Sequence, residues 1–189
     1  GENWSKSSGG SGAWLLVVDG KGAELVNKVY DSGDKDWANA LVAMPGGGFA
    51  LTGKASVKGN PKLWVIRTDK QGNVLWSSTH GGTQSEQGRG LGADAAGGLF
   101  VAGETNSGTT GEDAWLLRFD AWGNLKWDQR FGGAGNQWGN DVIALPDGGA
   151  LMAGRRWESG TANDVYLVRV GPWGHGSCKL VGSCGGLQS

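Results

Sequence analysis

Short apolar runs of strand length, separated by glycine-rich turn signals, follow one another along the whole chain, and they come in sets that repeat. The third set is the clearest. Asp141-Val142-Ile143-Ala144-Leu145 ends at Pro146-Asp147-Gly148-Gly149, Ala150-Leu151-Met152-Ala153-Gly154 follows, and Asp164 to Val170 comes after a polar link. In the earlier sets the corresponding third run passes through Asp-x-x-Gly-Asn into a fourth, such as Asn124 to Phe131. Runs of this length bounded by Gly, Pro, Asn and Asp predict antiparallel strands joined by hairpins. Nothing in the pattern predicts a long helix.

The period is measurable. Trp14, Trp64, Trp115 and Tyr166 are separated by 50, 51 and 51 residues, and Gly22, Gly72, Gly123 and Gly174 keep the same spacing. Asp19, Asp69 and Asp120 recur in step, as do the pairs Gly47-Gly48, Gly97-Gly98 and Gly148-Gly149 and the single glycines Gly53, Gly103 and Gly154. A fixed period over this many landmarks marks an array of like units. The first two runs of each set are small and apolar, which predicts inner, buried strands. The last two alternate with polar residues, as in Trp64-Val65-Ile66-Arg67 and Val74 to Ser78, and are expected to be half-exposed outer strands. Recurring four-stranded antiparallel units of this kind predict an all-β fold, a β-propeller of about three and a half blades. The expected division is a repeat domain over 1–174, with a partial first blade at 1–35 and blades at 36–85, 86–136 and 137–174, then a tail at 175–189 holding both cysteines.

The pattern Trp-x-x-x-x-Asp-x-x-Gly-Asn-x-x-Trp, then Gly-Gly, then a strand ending in Asp-Gly-Gly, then apolar-x-Ala-Gly, resembles the propeller repeats of secreted and surface-attached bacterial proteins. The resemblance covers nearly the whole chain and implies the fold and export. The Asp-x-x-Gly-x-x-x-Trp portion, as in Asp69 to Trp76, is also similar to the tryptophan-docking repeat of quinoprotein dehydrogenases.

Composition removes several function classes. Thirty-eight glycines fall at repeat boundaries and are therefore turn residues rather than a sign of disorder. Seventeen basic and eighteen acidic side chains give a net charge of −1, with no electrostatic footprint for nucleic acid or an anionic membrane. No run approaches the roughly 20 apolar residues of a membrane helix. There is no initiator Met and no signal peptide, and residue 1 falls inside the repeat pattern, so a mature or trimmed product with polypeptide before Gly1 is expected. Cys178 and Cys184 are the only cysteines. Their confinement to the end of the chain fits an exported protein, extracellular, surface-bound or periplasmic, with a terminal disulfide. The repeat places both on one outer strand, where about 3.3 Å per residue would hold them far apart. A disulfide needs Cα atoms about 5.5 Å apart, so the segment is expected to leave the strand and close a Cys178–Cys184 loop.

Each candidate residue has two readings. The repeated aromatics Trp14, Trp64, Trp115 and Tyr166, with Trp76 and Trp127, are either stacking platforms for sugars or wedges between neighbouring sheets; strict repetition favours the wedge. Trp4, Trp122, Trp138, Trp157 and Trp173 fall in Gly/Ser/Asn-rich stretches and suit sugar or partner contact, or else half-buried loop packing. Asp19, Asp69 and Asp120 each stand alone in their turn, which fits capping of the turn backbone rather than a calcium loop. His80 and His175 lack neighbouring ligands or a nucleophile, so no metal, cofactor or catalytic residue is assigned. The loops entering the innermost strands carry Trp37 and Asn39, Gln87 and Arg89, and Trp138, Asn140 and Asp141 at matching places. They would converge at the mouth of a propeller channel, which makes them the candidate ligand-binding residues.

The function expected is a non-catalytic extracytoplasmic binding or assembly module engaging another protein. A carbohydrate-binding lectin, or a piece of a quinoprotein-type propeller enzyme, is the alternative. An arc of blades would leave apolar faces at both ends, which another chain or the polypeptide before Gly1 should cover; a four-bladed ring closed through an atypical first blade is the competing expectation.

Overall fold

The computed structural model describes residues 2–3, 11–33, 35–106, 111–158 and 163–178. Among these there is no helix, and the strands form four antiparallel sheets. The first holds β1 (Glu2–Asn3), β2 (Gly12–Val18) and β3 (Glu24–Tyr30). The second holds β4 (Trp37–Ala43), β5 (Phe49–Val57), β6 (Asn60–Thr68) and β7 (Val74–His80). The third holds β8 (Glu86–Ala93), β9 (Leu99–Thr105), β10 (Asp113–Phe119) and β11 (Leu125–Phe131). The fourth holds β12 (Asn136–Ala144), β13 (Ala150–Trp157), β14 (Asp164–Val170) and β15 (Gly176–Cys178). In every sheet the strands lie side by side in chain order.

The turns carry the geometry that their residues demand. Gly22, Gly72, Gly123 and Gly174 have φ between +74° and +87°, a region that costs an L-residue with a Cβ about 1–2 kcal/mol. Asp69 Oδ1 accepts hydrogen bonds from the backbone N–H of Gln71 at 2.9 Å and Asn73 at 2.8 Å, and Asp19 and Asp120 do the same in their turns. The aspartates are turn caps, as their isolation in the sequence implied. Those hydrogen bonds, the one from the Asn73 side chain first, hold the Asp69 carboxyl below the usual carboxylate range.

Consecutive sheets pack face to face around three apolar clusters. Ala13 and Leu15 of the first sheet meet Leu51, Trp64 and Ile66 of the second. Ala50, Leu63 and Val65 meet Leu99, Trp115 and Phe119 of the third. Phe100, Ala114 and Leu116 meet Met152, Tyr166 and Val168 of the fourth. On β6 and β10, alternate residues therefore face the sheet before and the sheet after.

This corrects the expected grading from inner to outer strands. β6 and β10 are buried on both faces, with Trp64, Val65, Ile66, Trp115, Leu116 and Leu117 all in the core. The fourth strands β7 and β11 alternate with solvent as expected, but so does the first strand β4. The polar residue that suggested exposure, Arg67, instead donates to Gly47 O at 2.8 Å and to Phe49 O, stapling the β4–β5 hairpin. Arg118 and Arg169 occupy the same place and pair with Asp94 and Asp147 of the corresponding hairpins.

The fourth sheet runs past the expected boundary at 174, because Cys178 closes β15 opposite Val168. Cys178 thus stands in the outer strand, whose backbone pairs with Val168 to Val170, and not in a loop that has left it. Cys184 lies outside the described residues, as does Trp4.

Candidate functional site

The first strand of each complete sheet bends at the same point. Register shifts fall between Ala38 and Ala40, between Gly88 and Gly90, and between Gly139 and Asp141, so Asn39, Arg89 and Asn140 are bulge residues. A bulge swings a side chain out of the regular alternation, which is how strands re-aim residues near sheet edges. The sequence placed these residues in entry loops. They are instead held within strands, along with Trp37, Gln87, Trp138 and Asp141, because the neighbouring second strands extend far enough to pair with them.

Close approach at this level requires glycine. A Cβ on Gly53, Gly103 or Gly154 would stand 2.0, 2.1 or 1.9 Å from the carbonyl oxygen of Trp37, Gln87 or Trp138 respectively. The residue after each of these glycines, Lys54, Glu104 or Arg155, is then the cross-strand partner of that Trp or Gln. Lys54 Nζ lies 5.0 Å from the Trp37 ring centroid and the Arg155 guanidinium 4.2 Å from that of Trp138, both cation–π distances. In the third sheet the charge is reversed: Gln87 and Arg89 both donate to Glu104, with Arg89 Nη2 to Oε1 at 2.8 Å. These three partners were missed in the sequence. Their signal was their place directly after the repeat glycines.

The strands are also tied sheet to sheet. Asn39 Nδ2 donates to Gly88 O at 2.8 Å, and Trp138 Nε1 donates to Glu112 Oε2. A Cβ on Gly90 would lie 2.5 Å from Asp141 Cα. The structure thus brings Asn39 beside Gln87 and Gly88, and Asp141 beside Gly90. It does not bring Trp122 or Trp173 near them: both occupy the β10–β11 and β14–β15 turns and are 80% and 78% exposed. Trp157 ends β13 and is also exposed.

The polar side chains of the cluster largely engage one another. Glu104 is 3% exposed and fully engaged by Arg89 and Gln87; the hydrogen bond to Glu104 in turn raises the Arg89 guanidinium above its usual range. A carboxylate committed in this way is a poor general base. The indoles of Trp37 and Trp138 each carry a cation on one face, so a stacking sugar would have to use the other or displace it. Among the described residues no three His, Cys, Asp or Glu side chains gather as a metal site.

His80 is the last residue of β7. Its Nε2 lies 2.9 Å from Ser78 Oγ and its ring packs edge-on against Phe119 at 5.0 Å. Burial pushes the imidazole below its usual 6.5, against a smaller upward pull from Asp128. Tyr30 and Phe131 take the corresponding place at the other two sheet interfaces, so His80 acts as one of three interface rings.

A cavity of about 160 Å³ opens between β2 and β4, lined by Trp14, Leu16, Asn39 and Leu41 among others. Leu41 is 53% exposed, whereas the matching residues Leu91 and Val142 are 8% and 2% exposed. Leu41 faces a first sheet of three strands, of which β1 spans two residues, while Leu91 and Val142 face sheets of four.

In comparison with known proteins, no family model matches the chain and no curated protein is significantly similar to it. No helix of the described residues is long and apolar enough to cross a membrane.

Proposed function

We propose that the four sheets are successive blades of a β-propeller of the kind found in secreted and surface-attached bacterial proteins. In this reading the protein is a non-catalytic, extracytoplasmic binding or assembly module that engages another protein. The observation that carries it is the repeated packing: one face-to-face geometry recurs at three sheet interfaces, yet both terminal faces are apolar and open. Trp14, Leu16 and Val18 on the first sheet are 36%, 44% and 49% exposed, and Ile143 and Val165 on the fourth are 54% and 60% exposed. Clustered apolar exposure of this kind marks interaction surface. The bulge residues Asn39, Arg89, Asn140 and Asp141, with Trp37, Gln87 and Trp138, form the second recognition surface. No cofactor is assigned to it.

Native mass spectrometry of the protein purified from its source is the test. A complex with further polypeptide and no bound cofactor is expected. A lone chain with turnover that disappears on Arg89→Ala would overturn the reading.

Trp122 and Trp173 support a second reading, the lectin. They sit 51 residues apart at the same turn position of consecutive sheets, and both indoles project into solvent. Sugar binding should quench tryptophan fluorescence, and Trp122→Ala with Trp173→Ala should abolish the quenching; a glycan array at background would remove this reading.

A further inference from the structure

The two open faces are of opposite kinds. At each internal interface, the earlier sheet offers the face of Ala13 and Leu15, of Leu63 and Val65, or of Ala114 and Leu116. The later sheet offers the face of Trp64 and Ile66, of Trp115 and Leu117, or of Tyr166 and Val168. By repeat position, Val165 of the fourth sheet continues the first series and Trp14, Leu16 and Val18 of the first sheet begin the second. The chain therefore carries, at its two ends, both halves of an interface that it builds three times within itself.

The receiving half is already prepared for burial. Trp14 Nε1 donates to Asn27 Oδ1 at 2.9 Å, as the buried Trp64 does to Ser77 Oγ at 2.7 Å and Trp115 to Asp128 Oδ2 at 2.8 Å. Covering Trp14 would consequently strand no indole N–H, the usual penalty for burying tryptophan. The turn glycines make the same point. Gly72, Gly123 and Gly174 receive side chains from the preceding sheet, Val26, Trp76 and Trp127 respectively, and the last two of these donate to Ala121 O at 3.2 Å and Pro172 O at 2.9 Å of the same turns. Gly22 has the same left-handed φ, +84°, and a Cβ there would meet nothing within 4 Å. It is a receiving position facing solvent.

The geometry points to a second copy of this chain as the occupant: the fourth sheet of one copy docks on the first sheet of another, continuing the sheet order head to tail. This rests on the reading of the protein as an assembly module and names its partner. A contact between unlike faces either closes a ring or runs on as a filament. Among the described residues no apolar cluster joins the first sheet to the fourth within one copy, whereas two copies bring eight sheets, within the range in which propellers close, and a closed dimer of these 189 residues would cover both faces.

The test is the mass of the 189-residue chain in solution by light scattering and native mass spectrometry, where twice 19.6 kDa is expected. Leu16→Lys and Val165→Glu place a charge in either half. Each alone should weaken dimerisation by about tenfold or more, and the chain carrying both, whose two ends are again complementary, should recover it. Both positions are exposed, and circular dichroism checks that each variant folds. A wild-type monomer at micromolar concentration overturns the inference, as does a dimer that is lost with Leu16→Lys but survives Val165→Glu, since that contact would join like faces. A monomer that enters a complex with a different polypeptide at source would sink the second copy while leaving the assembly module standing.

Discussion

Trp14 and Trp115 occupy one repeat position, on the third strand of their sets, and make the same indole hydrogen bond, yet one is 36% exposed and the other 5%. The difference lies outside both strands. Trp115 has the second sheet packed over it, in a cluster with Leu63 and Val65; among the described residues no sheet covers Trp14. Local sequence sets the strand, the rotamer partner and the facing direction, while the neighbour decides whether the residue is core or surface. The energetic consequence follows from area, since apolar burial stabilises by about 25 cal/mol per Å².

The contrast is broken most strongly by truncation. Trp115→Ala should destabilise the chain by about 3–5 kcal/mol, the range for removing a large buried aromatic, and Trp14→Ala by well under half of that in the monomer. Urea unfolding of the two variants measures the gap, and equal losses would show that the first face is covered in solution.

The turn glycines give a second, smaller contrast. Gly22→Ala and Gly123→Ala both force a Cβ into left-handed backbone, at about 1–2 kcal/mol. At Gly123 the new Cβ also falls 2.6 Å from the Trp76 ring, adding about 1–3 kcal/mol of overpacking. The two substitutions should differ by that second amount alone, and equal midpoints would mean that Trp76 moves aside without cost.

Tyr30 sharpens the first interface. Its hydroxyl donates to Gly72 O at 2.8 Å across the boundary between the first two sheets, so Tyr30→Phe should cost about 1 kcal/mol. Burial, with Asp69 adding to it, pushes the phenol up to about 12. A raised folded value means that this stabilisation is complete below the unfolded pKa of about 10 and is lost as pH rises towards 12. Alkaline unfolding of the wild type should show that loss, and Tyr30→Phe should not.

The smallest effect concerns His80. Its folded pKa lies below 6.5 because it is buried, so the unfolded chain takes up the proton more readily. Its contribution is full above pH 6.5 and declines as pH falls below that value. Thermal midpoints followed downward from pH 7 should drop, and the drop should flatten in His80→Gln. An unchanged slope would mean that another group governs the acid limb.

Much of this was legible in the residues. The period, the four-strand sets, the Asp-capped turns and the wedge role of Trp64, Trp115 and Tyr166 follow from spacing and side-chain chemistry, because turn geometry and strand alternation are short-range properties. The bulge positions were found as a matched set, Asn39, Arg89 and Asn140, but misplaced into loops, since where a strand ends depends on how far its neighbour extends. Lys54, Glu104 and Arg155 escaped notice because cross-strand partnership requires the register, and Arg67 was misread because its polar head marks a stapled hairpin as readily as solvent.

The sequence by itself determined the repeating unit: which residues form strands, which glycines must turn, and which side of each strand is apolar. Only the tertiary structure decided which of those identical-looking sides are buried, making β6 and β10 core on both faces and leaving Trp14, Leu16 and Val165 exposed. The reason is physical. Alternation specifies a face, but burial is a property of two faces brought together, and where this chain supplies the partner of a face it lies about fifty residues away.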